Sequence, residues 1–161
     1  MIPVRVIALG SLMGRDDGAA LVAARALEGD PSAEVILAGR PGPGLLDLLV
    51  PDRPAVVLDV IRRGAAPGRI VELDLAGLSD AAVMGDTLSS HGLGVASALR
   101  LGAALGRALP VGRFVGIGGV RFDPGDALTP DVAAGVEAMV AAARRAIAAL
   151  DGKGTSCTST V

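Results

Sequence analysis

Val4-Arg-Val-Ile-Ala-Leu9, followed by Gly10-Ser-Leu-Met-Gly-Arg-Asp-Asp17, is the stretch that decides the fold. Six residues rich in β-branched and aliphatic side chains, without polar alternation and closed by glycine, read as a buried strand. The next segment, Asp17 to Glu28, carries Leu21, Val22, Ala26 and Leu27 behind an acidic start and reads as a helix. A buried strand feeding a helix is the opening of a parallel α/β unit.

The rest of the chain repeats that alternation. Glu34 to Leu37 reads as a second strand, and the Gly- and Pro-dense stretch Gly39 to Gly44 as a loop. Ala55 to Leu58, ending at Asp59, is a third strand, and Arg69 to Leu73, behind the turn pair Pro67-Gly68, a fourth. Ala76 to Thr87 shows no clear period and reads mostly as loop. Ser89 or Ser90 is placed to cap a long helix reaching about Leu109, with Leu93, Ala96, Leu99, Leu101 and Leu105 near one face. Arg113 to Ile117 is a fifth strand. Thr129-Pro130, a capping hydroxyl before proline at the first helical position, opens a helix over Asp131 to Leu150. The expected fold is an α/β three-layer sandwich: a mostly parallel central sheet of about five strands with helices on both faces. Residues 1–150 form one domain, and Asp151 to Val161, rich in Gly, Ser and Thr, is expected to be a disordered tail.

Composition narrows the function. With two Phe, no Tyr and no Trp, the core is aliphatic, and there is no aromatic platform on which bases could stack. A formal charge of −2 and no run of Lys or Arg argue against nucleic acid as a partner. No span reaches the ~20 apolar residues of a membrane helix without a break, and the apolar start is too short for a secretory signal. The single cysteine, Cys157, excludes a disulfide framework and fits a reducing compartment, so a cytoplasmic protein is expected.

In open α/β sheets, ligands gather where loops leave the C-terminal ends of the strands. Asp16 and Asp17 lie beyond the first strand, Asp59 closes the third, and His91, the only histidine, lies near the expected helix start. Carboxylates and one imidazole at such ends can converge on a divalent cation. Each also has a plainer reading: Asp17 complements a helix N-terminus, Asp59 serves a turn, His91 caps or packs. Spacing alone leaves both readings open. Other chemistries are poorly supplied. Gly10-Ser-Leu-Met-Gly14 is neither a dinucleotide fingerprint nor a P-loop, and His91-Gly-Leu-Gly94 lacks the companion nucleophile motif of an esterase.

Four motifs in order resemble those of the hydrogenase maturation endopeptidases. The family's opening G-N-x-L-x-x-D-[DE]-G-x-G is similar to Gly10-Ser-Leu-Met-Gly-Arg-Asp-Asp-Gly-Ala-Ala20. Its apolar strand ending in Asp, then an APG turn, resembles Val56-Val-Leu-Asp59 and Ala66-Pro-Gly68. Its Ser-x-His-x-[LM]-G resembles Ser89-Ser-His-Gly-Leu-Gly94. Its V-G-[IV] strand and Gly-x-x-L-[ST]-P-x-V helix start resemble Val115-Gly-Ile117 and Gly125-Asp-Ala-Leu-Thr-Pro-Asp-Val132. The resemblance spans about residues 4 to 150. It departs at the family's D-G-G-T-x-G loop, which falls on Leu37-Ala-Gly-Arg-Pro-Gly42 and puts Arg40 where the motif has Thr.

The resemblance implies a peptidase that cuts a C-terminal peptide from the nickel-loaded precursor of a [NiFe] hydrogenase large subunit. It implies Asp17, Asp59 and His91 as ligands to a nickel ion brought by the substrate, Asp16 as a neighbour that orients or hydrogen-bonds, and either Asp16 or Asp17 as the base. The alternative of another class is a non-catalytic scaffold that recognises the metal of a hydrogenase subunit without cutting it.

Overall fold

Strands without polar alternation need cover on both faces, and the sheet places them at its centre. The computed structural model describes residues 2–80 and 94–153. β3 (Ala55–Ile61) is buried at every position. β1 (Val4–Leu9) is buried except at Arg5, and β5 (Gly112–Gly118) except at Arg113. The half-buried β2 (Ala33–Gly39) and β4 (Ile70–Asp74) form the two edges. The order is β2-β1-β3-β5-β4, parallel throughout except for β4, which runs antiparallel to β5.

Side-chain alternation divides the core into two layers. Val4, Val6, Ala8, Val56, Leu58, Val60, Val115 and Ile117 pack under α1 (Ala19–Arg25) and α5 (Pro130–Lys153). Ile7, Leu9, Ala55, Val57, Ile61 and Phe114 face the other way, toward α2 (Leu45–Leu48), α3 (Leu75–Asp80) and α4 (Val95–Ala104). Each fully buried aliphatic side chain of this size contributes about 1.5–3 kcal/mol over an exposed one. The three-layer arrangement with five strands is the one the sequence leads us to expect.

Several boundaries differ, each for a local reason. Asp59 is interior to β3 and does not close it, because Val60 and Ile61 continue the pairing with Ile117 and Gly118 of β5. The first helix is shorter than Asp17 to Glu28. Arg15–Gly18 forms a 3-10 turn, and the end of α1 tightens through i to i+3 bonds from Ala26 to Ala23 and from Leu27 to Ala24. Within Ala76 to Thr87, α3 replaces the expected loop as far as Asp80, because Leu75 and Leu78, one turn apart, are both buried against the sheet. Residues 81–87 lie outside the described residues.

Of the helix expected from Ser89 or Ser90 to Leu109, the described residues form α4. Gly94 is extended at its N-cap, and its far end closes with the Gly106 amide on Ala103 O and the Arg107 amide on Gly102 O, Gly106 having φ 71°. Ser89 and Ser90 lie outside the described residues. α2 and the 3-10 turn Gly42–Gly44 before it occupy a stretch read only as loop or left unread. α5 continues to Lys153, taking Asp151 to Lys153 from the expected tail, and 154–161 lie outside the described residues. No helix among the described residues is long and apolar enough to cross a membrane.

Candidate active site

The chain leaves β1 toward β2 on one side and returns to β3 on the other, so the sheet's switch point opens between the C-terminal ends of β1 and β3. That crevice is where open α/β sheets bind ligands. Asp16 and Asp17, from the turn after β1, and Asp59, from β3, are the buried charged residues among those described.

The turn that carries the pair is tightly wound. Gly10 has φ 124°, and its amide donates to Gly39 O of β2 at 2.9 Å. The Ser11 amide returns to Asp17 O at 3.2 Å, and the Asp17 amide donates to Gly14 O at 3.1 Å. A Cβ at Gly10 would lie 1.9 Å from Asp17 O, so only glycine lets the chain fold back on itself here. On the far side, the Arg15 amide donates to Gly125 O and the Gly125 amide to Met13 O, which fastens the turn to the loop before α5.

Asp16 points into that second loop. Its Oδ2 accepts the amides of Val120 (3.0 Å) and Arg121 (2.9 Å), its Oδ1 accepts the Thr129 amide (2.8 Å), and the Thr129 hydroxyl lies 3.0 Å from both oxygens. Burial opposes its charge, but the donated hydrogen bonds from Arg121, Thr129 and Val120 outweigh that, and the carboxyl stays below the usual range. Three amides and a hydroxyl use most of its accepting capacity. The Thr129 hydroxyl, expected as a helix cap, donates to Asp16.

Asp17 is turned toward β2. Its side chain is 1% exposed, and its Oδ2 accepts a 2.8 Å bond from Nη2 of Arg40, a side chain 48% exposed. Asp59 lies on the other side of the switch point with Oδ1 on the Val60 amide at 2.7 Å. Burial pushes its carboxyl from the ordinary 3.8 up to about 7, against the pull of the Val60 amide; the Asp17 charge adds to the rise and Arg62 offsets part of it. Asp17 and Asp59 are therefore near enough to act on each other. The Arg62 guanidinium itself lies 4.0 Å from the centroid of the Phe122 ring.

Two carboxylates under low dielectric, one of them near neutral pH in its titration, form a pair that a cation would relieve. Oxygen donors alone suit hard cations, and a borderline ion such as nickel needs the imidazole. His91 lies outside the described residues, so the full set of Asp17, Asp59 and His91 is not seen together. Among the described residues there is no cluster of three or more His, Cys, Asp or Glu side chains that could hold a metal ion. The sequence gives no hint of the Asp16 amide cradle, which is built by backbone groups 104 to 113 residues away. The Arg40–Asp17 pair is likewise invisible without the β2 register.

No protein-family model and no curated protein sequence matches the chain. Solved structures do. The hydrogenase maturating endopeptidase HybD from E. coli superposes with a TM-score of 0.76 at 24% identity, over 95% of this chain and 94% of that one. An endopeptidase from Escherichia coli solved in solution gives 0.73 at 22% identity, over 89% and 92%. The [NiFe] hydrogenase maturation protease HybD from Thermococcus kodakarensis gives 0.70 at 28% identity, over 89% and 98%. A shared fold over most of its length and 28% identity to one such protease make this chain similar to the hydrogenase maturation endopeptidases.

Proposed function

We propose that the chain removes the C-terminal peptide from the precursor of a [NiFe] hydrogenase large subunit, and that it recognises the nickel already seated in that precursor. The observation that carries the reading is the buried Asp17–Asp59 pair at the switch point, with Asp59 raised to about 7 by burial and by its neighbour's charge. Two buried carboxylates this near to each other are costly, and a divalent cation between them would relieve the cost. The names of the similar structures support the substrate class.

In this reading Asp17 and Asp59 supply two oxygens, His91 supplies the imidazole nitrogen, and the remaining ligands of the ion belong to the substrate. A partial donor set grips a metal only when another protein completes its coordination, which couples cleavage to nickel loading. Asp16 does not reach for the metal. It holds the turn that carries Asp17 against the loop before α5, and so fixes the Asp17 backbone.

The test is direct. Purified chain mixed with nickel-loaded precursor should release a short C-terminal peptide, read as a mass loss of the precursor, and nickel-free precursor should stay intact. Binding of the loaded precursor without any mass loss would instead favour the scaffold reading, and equal cutting of both forms would remove nickel from the recognition step.

A further inference from the structure

Arg40 stands where the family motif has Thr, and it reaches the site by a local irregularity of the sheet. β2 carries an irregularity opposite the end of β1: Ala8 pairs with Leu37 and Leu9 with Gly39, so Ala38 is an extra residue. Gly39 then takes φ 64°, with open space around its α-carbon. The bulge and the left-handed residue together re-aim the chain, and Arg40 crosses the end of β1 to reach Asp17.

The resulting pair is unequal. The carboxylate is buried and the guanidinium half-exposed, so Arg40 covers Asp17 from the solvent side. Gly14 flanks both partners without a side chain: a Cβ there would lie 3.5 Å from Asp17 Oδ2 and 3.6 Å from Arg40 Nη2. The guanidinium thus sits on one of the oxygens that a metal would need, and it adds positive charge to the Asp17–Asp59 pair beside that of Arg62.

Resting on the metal-gripping role proposed above, we propose that Arg40 is a displaceable internal counter-ion that blocks Asp17 to free divalent cations and yields only to a metal presented by the substrate. A bond to a buried carboxylate is lost when the guanidinium swings out, and a long side chain already half in water can do so without unfolding its loop. A free ion must offset that loss from two or three protein donors alone. An ion held by the substrate arrives with the binding energy of the protein interface behind it. The arrangement would keep the protease from filling with stray metal.

The experiment is calorimetric titration of Ni2+ into the purified, tag-free full chain and its variants at neutral pH, with circular-dichroism melts as a check on folding. Arg40→Gln removes the charge and keeps a polar side chain; it should bind Ni2+ about tenfold more tightly than the wild type, the scale expected for removing one charged hydrogen bond. Arg40→Lys, which keeps the cation, should stay near the wild-type affinity. Asp17→Asn should lose binding. If Arg40→Gln binds no more tightly than the wild type while Asp17→Asn loses binding, the counter-ion role is overturned and the metal grip stands. If Asp17→Asn binds like the wild type, the metal grip itself fails. Absence of heat from both the wild type and Arg40→Gln also overturns the counter-ion role, and the precursor assay then judges the metal grip separately.

Discussion

Thr129 gives Asp16 both its amide, at 2.8 Å, and its hydroxyl, at 3.0 Å, and so ties the start of α5 to the turn after β1 across 113 residues of sequence. That tie, with the Val120 and Arg121 amides, makes Asp16 a structural centre of the loops around the crevice.

Asp16→Ala should therefore be among the more damaging single changes in the molecule. It leaves three amides and a hydroxyl without their acceptor in a part-buried place, at a cost of about 2–3 kcal/mol. Thr129→Val, which removes only the hydroxyl, should cost about 1 kcal/mol. The native carboxyl is held below its ordinary range, so its stabilisation is present above the unfolded value near 3.8 and is lost as pH falls through the lower native value. Urea melts of the two variants at pH 7 and of the wild type from pH 5 down to 2 measure each effect; a neutral Asp16→Ala would refute the assignment.

Asp59 predicts the opposite pH dependence. Its native value of about 7 lies above the unfolded 3.8, so between these limits the native state holds more protons than the unfolded one. Its contribution is most favourable below the unfolded value, declines as pH rises, and levels off above about 7. The loss is on the order of 4 kcal/mol across that window. Asp59→Asn should abolish the decline, leaving a metal-free protein more stable than the wild type at pH 8 and little different at pH 4. Matched melts across the range check this; equal stability at pH 8 would mean that Asp59 is not strained by burial.

The contrast between the two carboxylates shows where sequence reading reaches its limit. Strand identity and the positions of Asp16, Asp17 and Asp59 near strand ends are written in local apolar runs, so the sheet and the crevice are legible from the chain alone. The division of labour is not. Asp16 and Asp17 are adjacent, yet one turns toward Thr129 and the other toward Arg40 because the 3-10 turn at Arg15–Gly18 points them apart. α3 is missed for a related reason: Leu75 and Leu78 gain their helix from contact with the sheet, not from a periodic run of their own.

Gly10 and Gly39 offer a controlled comparison of two left-side backbone positions. At Gly10 a methyl would collide with Asp17 O, whereas at Gly39 nothing lies within 4 Å. Gly39→Ala should cost about 1–2 kcal/mol, the conformational term alone. Gly10→Ala should cost clearly more, because the fold of the turn must open, and it should also remove precursor cleavage by displacing Asp17. Paired denaturation curves and the peptide-release assay decide; similar costs at both sites would show that the turn yields easily.

His91 carries the last and most consequential prediction, because the resemblance alone assigns it. With Asp17 and Asp59 the site offers only hard oxygen donors, which favour Mg2+ or Ca2+ over nickel. His91→Gln keeps size and polarity but exchanges a ring nitrogen for an amide oxygen, a weak donor to a borderline ion. The variant should fold normally, within about 1 kcal/mol of the wild type, as expected for a polar exchange outside the apolar runs of the sequence. It should bind Ni2+ poorly and leave nickel-loaded precursor uncut, while Asp59 keeps its raised titration, since burial and Asp17 set that value. Cleavage of loaded precursor at the wild-type rate by His91→Gln would exclude the imidazole from nickel recognition and leave the two carboxylates to act without it.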